Sequence, residues 1–212
     1  GSASNQSSVL WTTSGNGTFT SGNSLTSVYT PGTVDISNGT VTLTLTVSAM
    51  SPCTNSSSDT KVLVIQKSPT ASAGNDATIC QNQTKTLSGT ASNQASVIWT
   101  TSGNGTFNST NSLTAVYTPG SDDITSGSVT LTLTANALSP CTVSASDLMI
   151  LTILKLPTAN AGTDATICQT DSYNLMGTAI NYSGVEWATN RNGTFDDKYK
   201  LNAIYTPGTT DI

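Results

Sequence analysis

The chain has 212 residues, of which 35% are hydrophobic and only 9% charged, with a net charge of −5 and no histidine. Seven basic residues cannot form the clustered Lys/Arg surface that nucleic acid requires, so nucleic acid is excluded as a partner. No run of about 18 apolar residues exists either, which excludes membrane insertion in this segment.

The predicted elements repeat. Trp11-Thr-Thr-Ser-Gly-Asn-Gly-Thr-Phe19 returns unchanged as Trp99 to Phe107, and in blurred form as Trp187-Ala-Thr-Asn-Arg-Asn-Gly-Thr-Phe195. The step is 99 − 11 = 88 and again 187 − 99 = 88. Tyr29-Thr-Pro-Gly32 recurs at Tyr117 and Tyr205 with the same step; Cys53 recurs at Cys141, Cys80 at Cys168, and Pro69 at Pro157. A fixed period of domain length marks an array of modules. It divides the chain into a copy lacking its first strands (1–68), a complete copy (69–156), and a copy lacking its last strands (157–212).

In chain order, the complete copy opens with a linker at Pro69 and a first strand ending near Ile79. Thr84 to Gly89 makes a second. Ser96-Val-Ile-Trp-Thr-Thr101 is rich in β-branched and aromatic residues and makes a third. Position 98 is Ile here but Leu10 and Glu186 in the other copies, whereas Val97 and Trp99 keep their identity in all three. Residues 97 and 99 are therefore expected to face the core and 98 the solvent.

Asn104-Gly105 predicts a hairpin leading into a return strand at Phe107. Leu113 to Tyr117 is a further short strand. Asp123-Ile-Thr-Ser-Gly127 reads as one helical turn, capped by Asp or Ser and ended by Gly. Val129-Thr-Leu-Thr-Leu-Thr134 alternates apolar and Thr, the mark of a half-buried strand. Leu148 to Leu154 is nearly continuous and apolar, so burial on both faces is expected. With no 3.6-residue periodicity and about seven short strands per copy, the fold class is all-β: tandem immunoglobulin-like β-sandwich repeats of about 88 residues. The third copy, short of two core strands, is expected to be weak alone or completed by another chain.

Ala73-Gly-Asn-Asp-Ala-Thr-Ile-Cys80, the Trp99–Phe107 stretch, Tyr117-Thr-Pro-Gly120, Val129–Thr134 and Ser146-Asp147 together resemble the Ig-like or PKD-like repeats of very large Bacteroidota surface proteins. These are exported by the type IX system and include the gliding-motility adhesins (SprB-type). The resemblance spans essentially the whole chain. It implies an extracellular, cell-surface location and a role in adhesion.

Catalysis has little to draw on. Glu186 is the only glutamate, and the pairs Asp122-Asp123 and Asp196-Asp197 are the available carboxylates. The recurring aspartates (Asp35, Asp123, Asp211) fall at turns, where capping is the expected duty. No cofactor is expected. Calcium is the one metal to consider, with Asp76 and Asp164 beside the linkers as candidate ligands, although no dense D-x-D-x-D run occurs. The Trp residues are assigned to the core in preference to a sugar-stacking platform. The alternating threonines are assigned to a solvated outer face in preference to an ice-binding array.

Four cysteines in two repeat-equivalent classes, without histidine or C-x-x-C, favour disulfides over zinc and an oxidising compartment. Cys80 and Cys141 are the two that share the complete copy, and pairing them would stabilise by roughly 4 kcal/mol in the chain-entropy model. Up-down strand counting places them at opposite ends, unless the first strand crosses early or a strand is miscounted. Cys53 and Cys168 would find partners outside this sequence. The expected function is a non-catalytic stalk or adhesive array, whose partners are further repeats of the same polypeptide and a surface glycan or protein ligand. The alternatives are a direct glycan- or protein-binding module and a strand-exchanging filament subunit.

Overall fold

The computed structural model describes residues Gly1–Ile212. In the complete copy the strands are β1 (Thr70–Ser72), β2 (Ala77–Cys80), β3 (Lys85–Thr86), β4 (Thr90–Ser92), β5 (Gln94–Thr101), β6 (Thr106–Phe107) and β7 (Val116–Thr118). A short helix α1 (Ser121–Ser126), then β8 (Ser128–Ala137) and β9 (Ala145–Leu154), complete it.

One sheet has the order β5-β8-β9-β2, with β2 running parallel to β9 and the other pairs antiparallel. Opposite it lie the ribbon β6-β7-β3 and the pair β1-β4. The first strand therefore does change sheets: β1 pairs with β4, Gly74 turns with φ +87°, and β2 joins β9. A residue with a Cβ would be strained at that φ, which accounts for glycine there.

Alternation fills the space between the layers. Val129, Leu131 and Leu133 of β8 point inward, meeting Trp99 of β5 and Met149, Leu151 and Ile153 of β9. Leu87, Ala115 and Tyr117 close the other side. Each such leucine contributes about 2–3 kcal/mol relative to exposure. Val97 packs partly against this core while Ile98 is exposed, as the comparison of copies predicts.

Three expectations need correction. The strand Leu148–Leu154 is covered on one face only: Leu148, Ile150 and Leu154 are exposed, because β9 has a packing layer on its inner side alone. The Asn104-Gly105 turn is not a hairpin. β6 does not pair with β5 but with β7, so the chain changes sheets there. Neither residue has positive φ; Asn104 instead spends its side chain on α1, accepting from the Asp122 N–H at 3.1 Å and donating to Ser121 at 3.2 Å. Finally, α1 begins at Ser121 with Gly120 as its cap, and Asp123 lies in the first turn instead of at the cap.

The first copy keeps the same register, Trp11 opposite Leu45 as Trp99 is opposite Leu133. In the third copy, Thr158–Asn160 pairs with Thr178–Ile180, and Tyr173–Asn174 and Thr194–Phe195 flank Ile204–Thr206. Its interior is open: a trough of about 360 Å³ runs along Trp187, Gly177 and Leu201. Every sheet lies within one copy, so the modules share no sheet and no core.

Candidate functional site

Asp123 is buried and fully engaged. Its Oδ2 accepts from the Tyr117 hydroxyl at 2.6 Å and from the N–H groups of Gly120 at 2.9 Å and Gly105 at 3.1 Å. Its Oδ1 accepts from the Asn104 N–H at 3.2 Å. With three donors on Oδ2 and one on Oδ1, the carboxylate is spent within the fold, and its burial keeps it away from solvent. The network ties the β5–β6 crossing, β7 and α1 together. Burial, and then the hydrogen bond to Asp123, push the Tyr117 phenol up to about 12. In the first copy the Tyr29 hydroxyl, and next the Gly32 N–H, hold the Asp35 carboxyl below its ordinary value. Asp211 is lowered in the same way by Tyr205 and then Gly208.

The other aspartates also serve the backbone. Asp76 accepts from the Ile150 N–H at 2.8 Å, fixing β2 to the middle of β9, and Asp147 accepts from the Ala73 N–H at 2.8 Å. Asp164, the equivalent of Asp76, is exposed and has no strand beside it. Asp196 is held down to about 2 by Lys200 and then by the Ile204 N–H, and Asp197 accepts from the Tyr199 N–H at 2.9 Å. No group of three His, Cys, Asp or Glu side chains comes together as metal ligands would. Within the first aspartate pair, Asp122 is exposed while Asp123 is enclosed.

The Cys80–Cys141 pairing is also corrected. All four cysteines are free thiols. Cys80 sits in register with Leu154, at the end of β9, whereas Cys141 precedes Ala145, at its start. Those ends are 154 − 145 = 9 residue steps apart, about 30 Å at 3.3 Å per residue. The sheet switch of the first strand does not shorten this distance, because β2 runs parallel to β9 and finishes at its far end.

What repeats outside the cores is the junction. Lys67 Nζ donates to the Ser37 carbonyl at 2.9 Å and Lys155 Nζ to the Thr125 carbonyl at 3.2 Å, each anchoring the linker to the last turn of the preceding helix. From the following copy, Asn93 Nδ2 donates to the Ser68 carbonyl and Asn181 Nδ2 to the Leu156 carbonyl, both at 3.2 Å. Asn93 and Asn181 adopt φ of 57° and 56°, a left-handed conformation that asparagine tolerates and most residues avoid. The Ile65 and Ile153 N–H groups donate to the Gly39 and Gly127 carbonyls, both at 2.8 Å. The linker is thus gripped from both sides, in the same way, at two places 88 residues apart.

These asparagines carry a signal in the sequence itself: Asn5, Asn93 and Asn181 recur at the repeat step, and all three have positive φ. The variable outer positions Leu10, Ile98 and Glu186 are exposed. Trp99, by contrast, is buried, with its indole N–H donating to the Ser112 carbonyl at 3.0 Å, so it offers no stacking surface.

No protein-family model matches the chain, and no curated protein matches it. Among solved structures, it is similar to protocadherin gamma B7 extracellular cadherin domains 1–4 (TM-score 0.46, 12% identity, 98% of this chain and 57% of that one). It is also similar to protocadherin gamma B2 extracellular cadherin domains 3–6 (TM-score 0.45, 16% identity, 93% and 58%). A third similar structure is described as concerning host cell surface retention of a 1.5-MDa bacterial ice-binding adhesin (TM-score 0.37, 19% identity, 84% and 66%). The chain spans 58% of the length of the first of these cadherin structures to be matched. No helix is long and apolar enough to cross a membrane.

Proposed function

We propose that this chain is a non-catalytic segment of a long cell-surface adhesin, an extended array that carries contact away from the surface during attachment or gliding. The carrying observation is the doubled junction, in which Lys67 with Asn93 and Lys155 with Asn181 grip their linkers alike. A linker held by the last helix of one module and by the next module transmits orientation and force. β9 runs directly into it, so tension on the chain shears an antiparallel ladder. The low-charge, Thr-rich face of β8 suits exposure to the extracellular medium.

The exposed apolar row Leu148, Ile150 and Leu154 on β9 favours a second function, direct binding to a glycan or protein. Immobilised full-length chain probed with a glycan array and with surface proteins separates the two. An array segment retains nothing above a Leu148→Lys/Ile150→Lys control, whereas saturable retention lost in that control establishes the binding module.

A further inference from the structure

The two cysteine classes occupy opposite ends of a module but the same end of a junction. Before the complete copy, Cys141 Sγ lies 3.4 Å from the Gln66 carbonyl oxygen and 4.0 Å from that of Lys67. After it, Cys80 is in parallel register with Leu154, and the neighbouring Gln81 N–H donates to the Leu154 carbonyl at 2.9 Å. Gln66 and Leu154 are the same position, one 88-residue step apart. Both cysteines therefore flank one linker residue, the first from the module ahead of it and the second from the module behind.

The Gln81 N–H at 2.9 Å and the Cys141 Sγ at 3.4 Å approach the carbonyl of the same linker position, so a Cys80-type residue and the Cys141-type residue of the following module come together there, where a disulfide would span about 5.5 Å between α-carbons. Exposure carries the same pattern. Cys141, with a linker in front of it, and Cys80, with β9 beside it, are half-covered.

We propose that, wherever the 88-residue period continues, each Cys80-type thiol forms a disulfide with the Cys141-type thiol of the next module, stapling the junction. Two thiols lose two protons and two electrons as the S–S bond forms. A disulfide-class oxidant takes both, becoming two thiols. The staple would carry load in parallel with the linker, fixing the angle between modules. It deepens the array reading without depending on adhesion, since it rests only on the geometry of the linker.

The test uses the full chain continued beyond Ile212 by a copy of residues 125–156, which completes the third module and places a second Cys141 segment behind the Lys155 linker. After oxidation by oxidised glutathione under native conditions, non-reducing peptide mapping is expected to link Cys80 to that added copy. Cys141→Ser should leave this link intact, and Cys80→Ser should abolish it. In concentrated guanidinium the same oxidation should give a scrambled set of pairs. A Cys80–Cys141 link, or free Cys80 in a chain with native tryptophan fluorescence, would overturn the staple. Neither result would alter the reach of the array measured by scattering, so the two ideas fail separately.

Discussion

The Tyr117 hydroxyl donates to Asp123 across 2.6 Å, and the same pair recurs as Tyr29–Asp35 and Tyr205–Asp211, each also at 2.6 Å. In the first two copies one buried carboxylate thereby organises a sheet crossing, a strand and a helix start, whereas Asp211 of the third is half-buried and lies in a turn. Asp123→Ala strands four donors in the interior and is expected to cost about 3 kcal/mol, while Tyr117→Phe, losing one bond, costs about 1–2 kcal/mol. Urea unfolding of the full chain, followed by Trp99 fluorescence, provides the comparison. Equal losses would show that the carboxylate has no organising role beyond the tyrosine.

The same pairs set two pH limits. The folded-state values of Asp35 and Asp211 lie below the ordinary 3.8, so their contribution is present above that value and is lost as pH falls through the depressed one. Tyr117 moves in the opposite sense, from 10.0 to about 12, so its contribution is present below pH 10.0 and disappears as pH rises through about 12. Tyrosinate absorbance is expected to show a late component near pH 12 in the folded chain. That component should vanish in Tyr117→Phe; its persistence would assign it elsewhere.

Much of this was legible before any coordinates. The variation at Leu10, Ile98 and Glu186 beside constant Val and Trp gave the facing of β5. The hairpin expectation failed because Asn-Gly has two uses: positive φ in a turn, or an amide that caps a helix with a glycine that makes room. Gly105 takes the second, since a Cβ there would fall 2.3 Å from the Tyr117 hydroxyl, and that partner is distant in sequence. The Cys80–Cys141 pairing failed because a repeat step identifies equivalent positions, not the end of the module at which each lies. The parallel pairing of β2 with β9 decides that, and no local pattern announces it.

Gly105→Ala is accordingly expected to destabilise by about 1–3 kcal/mol, the scale of overpacking against a fixed group. Gly184→Ala, with nothing within 4 Å, should change stability by no more than about 0.5 kcal/mol. Thermal unfolding of the two variants side by side distinguishes steric need from general intolerance to alanine.

At the junction, Asn93→Ala removes the bond to the Ser68 carbonyl and places alanine at a φ of 57°. The backbone alone costs about 1–2 kcal/mol. Limited proteolysis between Gln66 and Pro69 should become several-fold faster, with the cleavage rate inside the complete module unchanged. Acceleration at both places would indicate loss of the module itself.

The central claim, modules laid end to end with gripped linkers, is tested most directly by small-angle X-ray scattering of the full chain. Strands of about 3.3 Å per residue give modules of roughly 30–40 Å and a radius of gyration of about 28 Å for the array. A value near 17 Å, expected of a compact 212-residue globule, would contradict it.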